Sequence, residues 1–184
     1  MEDTSTSRGR AIRQGVAAAL AGVLVAGSSW AAGADHRAEP ASLTTTRPAP
    51  KAPLLRGGLD PRVVRRLRLA HELAVERVQS VPSCRALFER LGTDGTVYLA
   101  RTLYFPASDS QRAGACGRGA IALTVRGNPQ TRLCPVFESL RTEWAAVAVI
   151  HEALHFAGLG ERPVDPNGKS SMEINRMVEA SCGL

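Results

Sequence analysis

The sequence predicts an α+β fold in which a small antiparallel sheet packs on one buried helix. Three observations support this class. Apolar residues recur at helical spacing from about residue 60, strand-forming segments follow between residues 96 and 134, and an unbroken apolar run leads into His151. Helices, then a group of strands, then further helices is an order typical of α+β domains. We expect one domain over residues 60–184, because no internal repeat or second core is visible.

The first part of the chain is predicted to lie outside this domain. Residues 1–34 have the features of a signal peptide: arginines precede a short apolar stretch, which ends in an Ala-Gly-Ala cleavage site. Retention of this segment as an uncleaved membrane anchor is the alternative, although the apolar stretch is short for a transmembrane helix. Residues 35–59 are rich in proline, alanine and threonine, and we expect a disordered linker or a dispensable pro-segment.

The domain is predicted to begin with an amphipathic surface helix. Asp60 is a suitable N-cap, and Pro61 suits the first helical position. Arginines occupy the side opposite the apolar face, and a solvated face is the simpler interpretation of them. Contact with an anionic membrane or polymer is the alternative. A short second helix over residues 84–91 is predicted to begin after Ser83 and to end at Gly92.

Three strands are predicted in the middle of the domain. Residues 96–104 are rich in strand-forming side chains and end before Pro106. Residues 120–125 and 131–134 are two shorter strands joined by a Gly-Asn-Pro turn. Residues 107–119 are expected to form a loop.

Two helices complete the predicted fold. The helix over residues 142–157 is apolar on nearly every side in its first half, which is typical of a buried helix. Gly158 is expected to end it as a C-cap. A final helix over residues 171–180 is predicted, with Ser170 as N-cap and Glu173 as its capping-box partner.

Three polar residues interrupt the buried helix: His151, Glu152 and His155. Residues four apart lie on one face of a helix, so the two imidazoles can present nitrogen atoms to one point. A His-Glu-x-x-His helix is typical of zinc hydrolases, with the glutamate as general base for the attacking water. Because unpaired buried polar groups are costly, a bound metal explains this cluster better than two core histidines placed there by chance.

At this motif the chain resembles the zincin metallopeptidases, over the segment from His151 to Glu161. The resemblance implies a zinc-dependent hydrolase with His151 and His155 as metal ligands and Glu152 as the general base. It also implies that a sheet covers the helix and that an edge strand lines the cleft.

Two patterns within this family differ in the third zinc ligand. The segment after the second histidine is similar to the metzincin extension, in which a glycine breaks the helix and the third ligand follows three residues later. That ligand is usually histidine, and here it is Glu161. In the gluzincin pattern a glutamate on the next helix completes the site, which would be Glu173. We favour Glu161, because Gly158 suits the helix break and Glu173 is engaged in capping. Met172 could lie below the metal as the metzincin methionine does, or belong to the core.

The number and spacing of the cysteines indicate the compartment in which the protein is found. The chain contains four, Cys84, Cys116, Cys134 and Cys182, and none forms a Cys-x-x-Cys pair. An even number after an export signal indicates two disulfides rather than a zinc site. Of the three pairings, we favour Cys116–Cys134 around a hairpin and Cys84–Cys182 between the first helices and the C-terminus. We therefore expect a secreted protein, extracellular or periplasmic.

The net charge and the aromatic content limit the classes of partner that we expect. The net charge of +6 suits an anionic envelope surface. We expect no nucleic-acid partner, because aromatic residues are few and no nucleic-acid motif is present. The leading hypothesis is a secreted zinc metallopeptidase that acts on peptides or proteins, and a non-peptide hydrolase with the same zinc chemistry stays open. The alternative is a non-enzymatic, disulfide-stabilised module with a structural or vestigial metal site.

The sequence offers several candidates for the residues that would assist the zinc ligands and the general base. Stabilisation of an oxyanion calls for a histidine, tyrosine or arginine, and the candidates are Tyr98, Tyr104, Arg162 and Arg176. Asn175 is a candidate hydrogen-bond partner for a ligand histidine.

Overall fold

The computed structural model describes residues 51–184, so the signal peptide and most of the linker predicted for the segment before Asp60 lie outside the described residues. The described part is α+β, as predicted, with a four-stranded sheet and six helices. The helices are α1 (Pro61–Ser80), α2 (Pro82–Glu89), α3 (Gly95–Arg101), α4 (Asp109–Ala113), α5 (Thr142–Phe156) and α6 (Ser171–Cys182). The strands are β1 (Leu54–Leu55), β2 (Leu103–Pro106), β3 (Ala122–Thr124) and β4 (Gln130–Leu133). Short 3₁₀ turns lie at Cys116–Arg118 and Pro135–Ser139.

The sheet is mixed, so the prediction of an antiparallel sheet is wrong. Its strand order is β1-β2-β4-β3. The β1–β2 and β2–β4 pairs are parallel, and only β3 and β4 are antiparallel. A short turn joins β3 to β4, which permits an antiparallel pair, whereas longer connections let the other strands run in one direction. Leu54 and Leu55, which the sequence assigned to the end of the linker, form the outer strand beside β2.

The segment predicted as the first strand is a helix followed by a strand, α3 and β2. The helix begins because the Asp94 carboxylate accepts hydrogen bonds from the backbone N–H and the hydroxyl of Thr96. Leu99 is then fully buried in the core. A Cβ atom on Gly95 would lie 2.4 Å from the ring of Phe88, so this helix packs closely against α2. Capping and packing outweigh the strand-forming tendency of the side chains.

The predicted cap is present at the start of the first helix and absent at the start of the second. Asp60 caps α1 as predicted, since its carboxylate accepts a hydrogen bond from the N–H of Arg62 at 2.7 Å. Helix α2, by contrast, begins at Pro82 after Val81, which makes no side-chain cap bond. The hydroxyl of Ser83 donates instead to the backbone carbonyl of a residue on α6. The expected cap at Ser83 is therefore wrong.

Both predicted disulfides are present. Cys84–Cys182 joins α2 to α6, with the Cα atoms 4.5 Å apart. Cys116–Cys134 joins the turn before β3 to the residue after β4, with the Cα atoms 5.5 Å apart. They indicate an oxidising environment of the extracellular type. Between residues 51 and 184, no helix has the length and apolar character needed to cross a membrane.

Helix α5 lies at the centre of the core, as predicted for a buried helix. Residues 145–155 are all buried. Helix α1 is its most extensive neighbour, and α3, α6 and β3 complete its surroundings. The sheet thus contacts α5 through its edge strand β3, while helices cover most of the rest. His71 of α1 is buried, and its Nε2 lies 3.2 Å from the carbonyl oxygen of Leu99, so its role is in packing.

Candidate metal centre

Helix α5 brings His151 and His155 together on one face. Their Nε2 atoms are 2.9 Å apart, as the four-residue spacing requires. Both residues are 5% exposed, and Glu152 between them is 6% exposed. Three titratable side chains are thus buried side by side on an otherwise apolar helix.

Hydrogen bonds at the other ring nitrogens determine how the two imidazoles are protonated. Nδ1 of His151 lies 2.7 Å from Oδ1 of Asn175, and Nδ1 of His155 lies 2.9 Å from the carbonyl oxygen of Leu159. Since each Nδ1 faces an acceptor oxygen, each neutral ring carries its proton on Nδ1. The lone pair of each Nε2 therefore points at the shared position. Asn175 is therefore a hydrogen-bond partner of His151, the role for which the sequence made it a candidate.

Glu161 adds a third acceptor to this position. Its Oε2 lies 2.9 Å from Nε2 of His155 and 3.8 Å from Nε2 of His151. These three atoms converge on one position, and the group could hold a metal ion. Ligands about 2.1 Å from a tetrahedral metal ion lie about 3.4 Å from one another. The observed separations fall on both sides of that value, which is compatible with a metal ion between the three atoms.

The charges of the group also favour a bound cation. Desolvation would lower the pKa of His151, but the neighbouring carboxylates of Glu161 and Glu152 outweigh it and raise that pKa. Contact with His151 lowers the pKa of Glu161, although partial burial opposes this shift. Glu161 therefore keeps its negative charge beside the two imidazoles, which favours a cation at the shared position. A metal ion and a proton compete for the same lone pairs.

The end of α5 directs the chain back to the site. The N–H of Gly158 donates to the carbonyl of His155, and the N–H of Leu159 donates to that of Leu154, which is a Schellman motif. Gly158 has a φ of +107°, a left-handed conformation that glycine adopts without strain. The prediction that Gly158 ends this helix is therefore confirmed. The turn brings the Leu159 carbonyl under His155, and Glu161 follows two residues later.

A closed loop then holds Glu161 in place. Glu161 forms a backbone bridge with Lys169, and the N–H of Arg162 donates to the Lys169 carbonyl at 2.9 Å. Gly168 crosses Gly160 so closely that a Cβ atom on Gly168 would lie 2.7 Å from the Gly160 backbone. The two ends of the loop are thus in backbone contact, which fixes the direction of the Glu161 side chain.

Glu173, the alternative third ligand, does not belong to this group. Its carboxylate accepts hydrogen bonds from the backbone N–H and the hydroxyl of Ser170 and pairs with Arg162. The capping box predicted at the start of α6 is present. These bonds lower the pKa of Glu173 to about 2. Met172 is 61% exposed, so both expectations for it, in the core or below the metal, are wrong.

Glu152 lies at the middle of a cleft. It lines two adjoining pockets of about 530 and 430 Å³, and the edge strand β3 and Glu161 line both of them. Among residues 51–184, its buried Oε2 atom has no hydrogen-bond partner. An unpartnered buried carboxylate oxygen is costly, and a water molecule or a polar ligand in the cleft would offset this cost.

The four candidate oxyanion stabilisers do not line either pocket. Tyr104 is fully buried, and burial followed by the charge of Glu152 raises the pKa of its hydroxyl. Tyr98 packs against the ring of Phe156. Arg162 pairs with a carboxylate outside the cleft, and Arg176 is exposed on α6.

Two arginines that the sequence analysis did not single out do line the cleft. Arg118 borders one pocket and Arg132 borders the other. No local motif marks either residue. Arg132 reaches the cleft only because β4 pairs with the edge strand in one register, with Arg132 opposite Leu123.

Comparison with known proteins gives no match: no protein-family model, no curated protein and no solved structure is significantly similar to the chain. The fold and the site alone therefore define the class of this domain. The described part is a disulfide-linked α+β domain with a buried His-His-Glu group that could hold a metal ion. Its function has to be inferred from the geometry of that group.

Proposed function

We propose that the protein is a secreted zinc metallopeptidase. The observation that carries the proposal is the convergence of His151, His155 and Glu161 beside the unpartnered carboxylate of Glu152 in an open cleft. Two imidazoles and one carboxylate are a donor set of catalytic zinc sites, which keep a further position for water or substrate. Ferrous iron also accepts two histidines and a carboxylate. We favour zinc because a glutamate in the position of a general base serves hydrolysis.

Each residue has a distinct role in this proposal. A bound zinc ion would polarise the scissile carbonyl and lower the pKa of the attacking water. The Glu152 carboxylate would accept a proton from the attacking water and return it to the leaving nitrogen. Asn175 and the Leu159 carbonyl hold the two imidazoles in the protonation state and orientation that leave both Nε2 atoms free.

The edge strand β3 supports a peptide as the substrate. Within residues 51–184 it pairs only with β4, so the backbone groups of its outer edge have no strand partner there and could bind an extended chain. Ala122 and Leu123 of this strand line both pockets on either side of Glu152. An extended peptide beside β3 would therefore cross the site at Glu152.

The alternative is a non-enzymatic module with a structural metal. Structural zinc sites are closed by four protein ligands. Among the residues that the structure describes, the group here has three members, and it opens onto two pockets. A structural site also has no use for a buried, unpartnered carboxylate such as Glu152. These features support the catalytic function.

The test combines metal analysis with cleavage of a peptide library. Wild type is compared with Glu152→Gln and with the matched control Glu143→Gln, an exposed glutamate in the first turn of the same helix. We expect one zinc per chain in all three proteins, because neither substitution removes a ligand. Cleavage should fall by about 100-fold or more in Glu152→Gln and persist in Glu143→Gln.

Two results would contradict the proposal. The first is a wild-type protein that binds no zinc after reconstitution with both disulfides formed. The second is zinc-loaded Glu152→Gln that cleaves as fast as wild type, which would assign the activity to a contaminant or to another group.

A further inference from the structure

The two sides of the cleft differ in chemistry. On one side of Glu152 lies the small-residue pocket, which contains several short or apolar side chains. These are Ala115, Ala120, Ile121, Ala148 and Pro163, and Arg118, Ser171 and Asn175 also line this pocket. On the other side lies the Arg132 pocket, which contains several polar side chains. These are Gln111, Thr124, Asn128, Gln130 and Arg132, and Ala122, Leu123 and Val125 also line this pocket. A substrate that spans the site would meet a different environment on each side of the scissile bond.

Arg132 is a fixed cation in this second pocket. Its guanidinium carbon lies 4.5 Å from the ring centroid of Phe105, which is its partner across the β2–β4 pair. Stacking of this kind holds the planar guanidinium in one orientation and leaves its N–H groups free at the edge. Within the described chain, Arg132 forms no salt bridge. Its charge is therefore available to a ligand.

The surrounding charges do not cancel this effect. Glu152 and Glu161 also line the Arg132 pocket. The charge of Glu161 is directed at the two imidazoles, and a metal ion held there would offset it. Arg118 lies exposed on the border of the other pocket, and the whole chain carries a net charge of +6. With a metal ion held at Glu161, the two arginines of the cleft would outweigh the remaining negative charge, and the cleft would attract acidic rather than basic chains.

We propose that the protein selects peptides with an acidic side chain on the Arg132 side of the scissile bond and a small apolar side chain on the other side. The proposal rests on the peptidase function proposed above. A carboxylate of aspartate or glutamate can accept two parallel hydrogen bonds from the guanidinium edge. The short apolar side chains of the opposite pocket leave room for a small apolar group.

The experiment is a cleavage profile on a complex peptide library, with the residues on both sides of each cleaved bond read by mass spectrometry. It uses zinc-loaded wild type, Arg132→Gln, Arg132→Glu and the control Arg68→Gln, an exposed arginine of α1 outside both pockets. Zinc content and disulfide formation are checked first, so that a misfolded variant is recognised.

We expect wild type and Arg68→Gln to cleave bonds flanked by aspartate or glutamate on one side and by a small apolar residue on the other. Arg132→Gln should lower the ratio of kcat/KM for an acidic peptide to that for its amide counterpart by about tenfold. Arg132→Glu should shift the same position towards lysine and arginine. The acidic preference of wild type should weaken at high salt, because partly exposed charges are screened.

The failures of the two proposals are distinguishable. If zinc-loaded wild type cleaves no peptide, the peptidase function itself is contradicted. If wild type cleaves peptides without an acidic preference, the selectivity proposal is overturned and the peptidase stands, even where an Arg132 variant fails to fold. An acidic preference that survives in folded Arg132→Gln would also overturn it.

Discussion

Removal of the Glu161 carboxylate should reduce zinc affinity strongly, and removal of the Glu173 carboxylate should not. Glu161→Ala takes away one of three converging donors, whose Oε2 lies 2.9 and 3.8 Å from the two Nε2 atoms. Structural zinc sites with four ligands release about 10–16 kcal/mol on binding, or about 3 kcal/mol per ligand. We therefore expect a loss on the order of 100-fold in zinc affinity. Glu173→Ala is the matched control on the other candidate ligand, and its affinity should stay within about threefold of wild type.

A third variant should show an intermediate loss of zinc affinity. Asn175→Ala keeps all three donors and removes only the hydrogen bond to Nδ1 of His151, at 2.7 Å. Loss of such a partner costs about 10- to 100-fold in metal affinity. The order of zinc affinity should therefore be wild type and Glu173→Ala first, then Asn175→Ala, then Glu161→Ala.

Competition with a chromophoric chelator at neutral pH measures these affinities. Each protein is assayed well below its unfolding temperature, because the capping box lost in Glu173→Ala also lowers stability. Equal losses in the Glu161 and Glu173 variants would refute the assignment of the third ligand. An unchanged affinity in Glu161→Ala would refute the convergence of three donors.

Two further predictions concern stability. Loss of the Cys84–Cys182 disulfide should destabilise the fold more than loss of Cys116–Cys134, since the bridged residues are 98 and 18 apart in sequence. Chain entropy gives about 4.7 against about 3.2 kcal/mol, and chemical denaturation of the two cysteine-to-serine pairs tests the order, which a larger loss in the second pair would contradict. Glu173 has its pKa lowered from 4.5 to about 2, so its stabilising contribution is complete above pH 4.5 and is lost as the pH falls through 2. The unfolding temperature of Glu173→Gln should therefore fall less than that of wild type between pH 5 and pH 2, and an equal fall would argue against the capping interaction.

Local patterns predicted much of the site. The spacing of His151 and His155 on an apolar helix indicated both the buried helix and the shared position of the two imidazoles. Gly158 indicated the end of that helix, and the Schellman turn there directs Glu161 back to the histidines. Capping at Asp60 and at Ser170 was predicted for the same reason. In each case the residues that interact are within a few positions of one another.

Predictions failed where distant segments compete. Residues 95–101 carry strand-forming side chains, yet Asp94 caps a helix there and Leu99 enters the core between other helices. The direction of strand pairing was also wrong, because it depends on how the connection between β2 and β4 returns the chain. The Asp94 cap is itself local, but the burial of Leu99 and the direction of strand pairing depend on segments outside a window of a few residues.

The sequence by itself determined the motif, the helix that carries it, the end of that helix at Gly158 and the caps at Asp60 and Ser170, and it favoured the cysteine pairs that are present. These follow from periodicity and capping, which act over one or two turns of the chain, and from the small number of pairings that four cysteines allow. Only the tertiary structure decided which residues surround the motif. Asn175 reaches His151 from α6, β3 lies along the cleft as an edge strand, and Arg132 stacks on Phe105 beside Glu152. These contacts join segments far apart in sequence, and they arise from the way the helices and strands bury their apolar faces together.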